Sequence, residues 1–299
     1  MKWEDFRRSS NVEDRRDDTS NYASSNRGSS MMMLLPIIKM LIGTKIGRIV
    51  LVIGVVAYFF GYNPLALLDG TSNIQASSSK QMTSVEKSKD DKHAQFVSAV
   101  LAQTEDIWSE IFRQYDSKYP APKLVLFRGS VKSGCGFASS QTGPFYCPAD
   151  KKVYLDLSFF DELAKRHDAP GDFAQAYVIA HEIGHHIQNI TGTIDKVHKA
   201  KQSVSKIQAN ALQVKVELQA DCYAGLWANK AQASFDILQE GDIIEALNAA
   251  SAIGDDTLQK KAQGYVVPDA FTHGSSKDRM KWFNIGYKNG SLKRCNTFL

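Results

Sequence analysis

The sequence lacks any long cluster of Lys and Arg interleaved with aromatic residues, and its net charge is only +4 over 299 residues. A basic patch of that kind is the usual electrostatic footprint of a protein that binds nucleic acid. We therefore expect no nucleic-acid partner. The hydrophobic fraction of 43% is instead sufficient for one or two folded units with a sizeable core.

The four cysteines show no Cys-x-x-Cys spacing, which argues against a metal site built from thiolates. An even count in a domain that faces an oxidising compartment favours disulfides. Cys135 and Cys147 flank a Gly/Pro turn, so we predict that they pair locally. Cys222 would then pair with Cys295, and this bond would tie the C-terminal tail to the helix predicted around Cys222.

Residues 46–68 are long and apolar enough to span a membrane, because their only charge is Arg48 and a span needs about 20 mainly apolar residues. A cleaved signal peptide fits less well, since a long polar tail precedes the stretch and no small-x-small cleavage site is present. Basic residues lie at or before its start, and none follows until Lys80. The positive-inside rule therefore predicts a single-pass protein of the inner (cytoplasmic) membrane, with a cytoplasmic N-terminus and a periplasmic or extracellular domain.

The remaining chain is predicted to hold one globular domain over residues 93–299. Residues 1–30 are polar and have the composition of a disordered cytoplasmic tail. Residues 71–92, rich in Ser, Lys, Gln and Asp, are typical of a flexible linker. Within the domain, a helix over 94–115 and strands near 123–127, 145–147 and 152–157 precede two long helices. We therefore expect a mainly helical α+β fold with a small sheet.

Two histidines four residues apart, His181 and His185, give the most informative stretch. On an α-helix such residues share one face, and apolar residues at three- and four-residue steps support a helix here. Two neutral imidazoles so placed suit a zinc ion, and Glu182 beside them can act as general base on a zinc-bound water. The alternative is a surface helix with two solvated histidines.

A second pair with the same spacing, Glu217 and Asp221, lies on a second predicted helix. A catalytic zinc needs three protein ligands and an open position for water, and Glu217 would complete a His, His, Glu set. Asp221, one turn further on, could bond the free ring nitrogen of a ligand histidine and fix its tautomer. An ordinary exposed Glu-x-x-x-Asp pair is the alternative.

These stretches resemble a bacterial family of membrane-anchored proteins described as "putative neutral zinc metallopeptidases", whose site is gluzincin-like. The resemblance implies a zincin-like fold and zinc ligands at His181, His185 and Glu217. It also implies a general base at Glu182 and a supporting carboxylate at Asp221. The matching segments cover nearly the whole chain except residues 71–92 and comprise residues 3–4, 11–16, 153–160, 171–182, 185–189, 217–225 and 264–268.

His273 is the candidate for a further catalytic role, because it lies in a loop before a helix predicted over 276–287. Peptide hydrolysis through a tetrahedral intermediate benefits from a second electrophile beside the metal. Tyr265 is the second candidate, and a structural hydrogen bond is the alternative for each.

The sequence thus predicts a membrane-anchored zinc metallopeptidase that hydrolyses peptide bonds in the cell envelope through a water activated by Glu182. The edge of the small sheet could pair with an extended substrate. Two alternatives remain open: a zinc-stabilised scaffold or adaptor that binds partners without cutting them, and a zinc amidase that acts on cell-wall peptides.

Overall fold

The computed structural model describes residues 1–18, 84–166 and 169–298. The predicted membrane span at 46–68 lies outside these residues. None of the described helices is both long and apolar enough to cross a bilayer.

A mixed four-stranded sheet forms one layer of the fold. The described part of the chain contains six strands, four in this sheet and two in a separate hairpin. They are β1 (Val12–Asp14), β2 (Lys123–Phe127), β3 (Ser130–Ser133), β4 (Gly136–Ser139), β5 (Phe145–Cys147) and β6 (Lys152–Asp156). The sheet has the order β1-β2-β6-β5, in which the first three strands are parallel and β5 runs antiparallel to β6 at the edge. β3 and β4 form a separate hairpin.

Helices make up most of the described chain, which confirms the predicted mainly helical α+β class. They are α1 (Ser84–Arg113), α2 (Ser158–Arg166), α3 (Asp172–Ile190), α4 (Thr193–Lys201), α5 (Lys206–Phe235), α6 (Asp242–Ala252), α7 (Asp255–Gln263) and α8 (Ser276–Asn289). α3 and α5 are the two helices predicted from their apolar periodicity, and α5 begins at a capping box in which Ser205 accepts from the Gln208 amide.

The core is formed where α3, α5 and α8 pack against each other and against α1 and the sheet. Phe173 on α3 stacks on Trp227 on α5, and both side chains are fully buried. Two small residues allow the close helix approach: a Cβ on Gly184 of α3 would lie 3.0 Å from the Cα of Ala220 on α5. This contact brings the two polar faces of α3 and α5 together.

Both predicted disulfides are confirmed. Cys135 bonds Cys147, which fastens the β3–β4 hairpin to the edge strand β5. Cys222 on α5 bonds Cys295, which holds the C-terminal tail against that helix. No cysteine of the chain is left free.

The prediction of a disordered tail over residues 1–30 is wrong for Met1–Asp18. β1 lies in this segment and pairs with β2, and Trp3 is only 4% exposed. The prediction failed because the segment is polar on average, and its few apolar side chains find partners far away in the sequence. Residues 19–30 lie outside the described residues.

The predicted linker at 71–92 and the domain start at residue 93 also need correction. α1 already begins at Ser84, and Asp90 is buried, where it bonds Arg128. Polar residues in the first turns of a helix resemble a linker in composition, and only the packing distinguishes the two. The folded unit comprises Met1–Asp18 together with Lys87–Leu299.

Candidate metal centre and active site

Three side chains on two helices converge on one point. His181 and His185 extend from α3, and Glu217 extends from α5. The Nε2 atom of each histidine lies 3.3 Å from the Oε2 atom of Glu217, and the potential ligand atoms all lie within 4.8 Å of one another. The sequence-based ligand set is therefore brought together as predicted.

The arrangement fits a zinc ion. Zinc binds imidazole nitrogen and carboxylate oxygen at about 2.0–2.2 Å, so tetrahedral ligand atoms lie roughly 3.3–3.6 Å apart. Both nitrogen–oxygen separations to Glu217 match that spacing. Within the described chain, the group of potential ligands has three members, which is the number typical of a catalytic site with an open fourth position.

Asp221 orients His181. The Nδ1–H of His181 donates to Asp221 Oδ1 at 2.8 Å, because an ionised carboxylate can only accept. The same carboxylate accepts two bonds from Arg279, each 3.0 Å long, and one from the hydroxyl of Tyr177 at 2.5 Å. With the proton on Nδ1, the lone pair of His181 Nε2 points at the metal position, as the sequence predicted for Asp221.

The buried Arg279 keeps Asp221 ionised. Burial would raise the pKa of Asp221, but the guanidinium of Arg279 and the ring of His181 outweigh it and hold that pKa below its ordinary value. For His181 the directions are reversed. Burial alone would lower the pKa of this ring, but Asp221 and Glu217 raise it to about 9. A metal ion therefore competes with a proton for this ring.

Gln188 plays the corresponding part for His185. Its amide nitrogen donates to the carbonyl of Val216 at 2.7 Å and to Gln219 Oε1 at 3.1 Å, so its oxygen must face His185. The Nδ1–H of His185 donates to that oxygen at 2.8 Å. Gln219 is held in turn by the carbonyl of Cys295, at the disulfide. The lone pair of His185 Nε2 is thereby also aimed at the metal position.

The second oxygen of Glu217 is occupied elsewhere. Oε1 accepts from the Nε2 atom of Gln213 at 2.9 Å, and Gln213 accepts from Lys201 at 2.9 Å. Burial would raise the pKa of Glu217, but His185 and His181 lower it well below its ordinary value. Glu217 thus presents one ionised oxygen to the metal position.

Glu182 lies beside the ligand set and faces a cavity of about 380 Å³. Its side chain is buried, and the cavity is lined by Glu182 as well as by all three ligands. Burial raises the pKa of Glu182, whereas both ligand histidines and a hydrogen bond from the Tyr146 backbone act in the opposite direction. A carboxyl group in this position can exchange a proton with a water molecule at the open side of the site.

His273 lines the same cavity. Asp255 accepts from the backbone amides of Thr272, His273 and Gly274 at 2.6–3.0 Å, and it also contacts His273 Nδ1 at 3.3 Å. This carboxylate therefore fixes the loop that carries His273, and the hydrogen bond to it raises the pKa of His273. Tyr265, the other candidate, is 62% exposed and is not among the residues that line this cavity.

His186 faces away from the metal and fastens the sheet to α3. Its Nε2–H donates to the carbonyl of Pro120 at 2.7 Å, so its Nδ1 accepts from the hydroxyl of Tyr146 at 3.0 Å. Asn189 also donates to that hydroxyl, at 2.8 Å. Burial lowers the pKa of His186 to about 4 and keeps the ring neutral. Tyr146, on β5, is thus held against the helix that carries the ligands.

Sequence reasoning missed several supporting residues, among them Tyr177, Gln188 and Arg279. Tyr177 lies one turn before His181, and Gln188 lies three residues after His185, so helical spacing alone could have suggested both. Arg279 gave no such signal, because it reaches Asp221 from α8, 58 residues further along the chain.

Comparison with known proteins relates the chain to one described family and to uncharacterized bacterial proteins. A family model with the description "Putative neutral zinc metallopeptidase" matches residues 1–298. The chain is 44% identical over 298 residues to the uncharacterized protein YpfJ of Escherichia coli K12, covering 100% of this chain and 99% of that protein. It is 41% identical over 213 residues to the uncharacterized protein Mb2605 of Mycobacterium bovis, covering 68% of this chain and 71% of that protein. No solved structure matches.

Proposed function

Because this chain belongs to the "Putative neutral zinc metallopeptidase" family, we propose that it hydrolyses peptide bonds at the site formed by α3 and α5. His181, His185 and Glu217 would hold the zinc ion, and Glu182 would serve as the general base. The observation that carries the proposal is the buried carboxyl group of Glu182, which shares one cavity with the ligand set and which a purely structural metal site would not require.

The chemistry divides between the metal and the chain. A bound zinc ion would polarise the substrate carbonyl and make a water molecule more acidic. Glu182 accepts the proton of the attacking water and delivers it to the leaving amine. Burial raises the pKa of Glu182, which makes its carboxylate a better proton acceptor than an exposed one. His273, at the wall of the cavity, is the proposed second electrophile for the oxyanion.

The surroundings of the site support a peptide as substrate. Phe159, Val178, Ile253 and Leu258 line the cavity and offer an apolar wall for a side chain. β5 is one of the two edge strands of the sheet, and its residues Phe145 and Tyr146 line the same cavity. An extended peptide can add to such an edge through its main chain, while the cavity selects the side chain beside the cut bond.

We also propose that the protein acts at the cell envelope, attached to the membrane through residues 46–68, with its folded domain in an oxidising compartment. The two disulfides support the compartment, because such bonds persist outside the reducing cytosol. The apolar sequence of residues 46–68 supports the attachment.

The direct test compares the native protein with Glu182→Gln. Each is purified, its zinc content is measured, and each is incubated with a broad peptide mixture that is analysed by mass spectrometry. We expect one zinc per chain in both proteins and cleavage only by the native one. Glu240→Gln, an identical change at an exposed position, is the matched control and should cut normally.

Two other outcomes would count against the proposal as stated. Cleavage that survives Glu182→Gln would mean that another group is the base. One zinc per chain without cleavage of proteins or peptides would favour the scaffold, or the amidase if cell-wall peptides alone are cut.

A further inference from the structure

Met1–Asp18 is built into the domain by main-chain pairing. β1 lies parallel to β2, with Val12 opposite Leu124 and Asp14 opposite Leu126. The amide of Leu124 donates to Asn11 at 2.9 Å, and the amide of Arg15 donates to the carbonyl of Leu126 at 2.8 Å. β1 therefore completes one edge of the sheet whose other edge, β5, borders the candidate active site.

The same segment contributes to the hydrophobic core. Trp3 is 4% exposed, and its ring meets that of Phe96 on α1 edge-to-face at 5.5 Å. The amide of Lys2 donates to the carbonyl of Ile237 at 2.8 Å, just before α6. The segment therefore contacts parts of the chain that are far apart in sequence.

Polar contacts also fix the part of the segment that lies between the buried Trp3 and strand β1. Arg7 donates to both carboxylate oxygens of Asp106, at 2.6 and 3.1 Å. The buried Ser9 and the side chain of Asn11 both donate to Glu105 Oε1, at 2.5 and 2.8 Å. Such a set of direct contacts, with a paired strand and a buried indole, cannot form across a hydrocarbon layer of about 30 Å.

We propose that Met1–Asp18 and the domain formed by residues 87–299 lie on the same side of the membrane. The predicted span at 46–68 falls between these two parts of one folded unit. A single crossing there would separate β1 from β2 and Trp3 from Phe96. The chain between the two parts thus crosses the membrane an even number of times or not at all. The cytoplasmic N-terminus expected from the basic residues before the span is replaced by one that accompanies the domain.

Trp3→Ala in the full-length, membrane-embedded protein tests the proposal. Loss of a buried indole from the core should lower the melting temperature of the domain by on the order of 10 °C. Trp3→Phe, which keeps a ring against Phe96, should recover part of the loss. Asp5→Ala, at an exposed position of the same segment, is the control and should change little. A melting temperature that Trp3→Ala leaves unchanged would overturn the proposal.

A second measurement reads sidedness in cells. One epitope is inserted after Asp18, which is exposed, and in a separate chain the same epitope follows Leu299. An impermeant protease is added to intact spheroplasts and to lysed ones. We expect both epitopes to be cleaved, or both to be protected, under each condition. Cleavage of one epitope with protection of the other in intact spheroplasts would overturn the proposal.

Discussion

The two ligand histidines donate their orienting hydrogen bonds to chemically different partners. His181 donates to a carboxylate that a buried guanidinium neutralises, and His185 donates to the neutral amide of Gln188. A carboxylate partner makes the imidazole a stronger donor to the metal, whereas an amide fixes its direction alone. A zinc ion at this site would therefore be held by one histidine that is supported by charge and one that is supported by geometry.

Gln188→Ala tests the geometric support. The substitution frees the ring of His185 and removes the side-chain donor to the carbonyl of Val216. We expect zinc affinity to fall about 10–100-fold, as is usual when an outer partner of a ligand is lost. Competition with a fluorescent chelator measures this. Gln263→Ala, at an exposed position, is the control, and an unchanged affinity in Gln188→Ala would show that His185 needs no orienting partner.

His273→Ala tests the second electrophile. Removal of one group that stabilises an oxyanion costs about 10²–10³ in kcat in well-studied cases. His273 is half-exposed and does not belong to the ligand set, so we expect kcat to fall about 10²-fold while the zinc content stays at one per chain. Steady-state kinetics on a cleaved peptide provide the measurement. A change in KM alone would assign the ring to substrate binding instead.

At the scale of elements, the site depends on how closely α3 and α5 approach. Neither helix holds three ligands by itself, because His181 and His185 lie on one and Glu217 on the other. The contact that sets their separation is that of Gly184 with Ala220, in the turn between the two ligand histidines. The ligand spacing is therefore a consequence of a backbone contact rather than of the ligands.

Gly184→Ala should widen that contact. The added methyl would lie 3.0 Å from the Cα and 3.1 Å from the carbonyl oxygen of Ala220, and backbone atoms cannot rotate away. Overpacking costs about 1–3 kcal/mol, offset by about 1 kcal/mol from the better helix propensity of alanine. We expect a small net loss in the free energy of unfolding and a larger loss of zinc affinity. Full zinc affinity in this variant would show that the ligands tolerate a wider separation.

Spacing within a single element could be predicted from the sequence, whereas contacts between elements could not. Helical periodicity gave α3 and α5 and placed His181 and His185 on one face, because spacing within a helix is fixed locally. The partnership of Arg279 with Asp221 depends on how α8 crosses α5, which no local pattern contains. β1 was missed for a similar reason: three residues, Val-Glu-Asp, show no strand alternation, and their partner strand lies more than 100 residues away.

At the scale of the whole molecule, the N-terminal segment should make the free energy of unfolding depend on the pH of the solution. On β1, Glu13 bonds Lys152 at 2.8 and 2.9 Å and Arg15 at 2.7 Å. Burial would raise the pKa of Glu13, but these bonds and Lys123 lower it from its ordinary 4.5 to about 2. A carboxyl group with a depressed pKa stabilises the fold above its unfolded value, and this contribution is lost as pH falls through the folded value.

Glu13→Gln should therefore behave differently from the native protein between pH 4.5 and 2. The native protein should melt at a higher temperature at pH 7, and the difference should shrink as the pH falls through that window. Protonation of the metal ligands affects both proteins alike, so the difference isolates Glu13. A constant difference in melting temperature down to pH 2 would contradict the role given to this carboxylate.

The central claim is that His181, His185 and Glu217 form one zinc site across α3 and α5, and zinc stoichiometry in Glu217→Ala tests it most directly. The native protein should carry one zinc per chain after dialysis against a weak chelator, measured by plasma emission spectrometry. Glu217→Ala, whose fold is checked by circular dichroism, should lose most of its zinc. A folded Glu217→Ala protein that retains one zinc per chain would contradict the account.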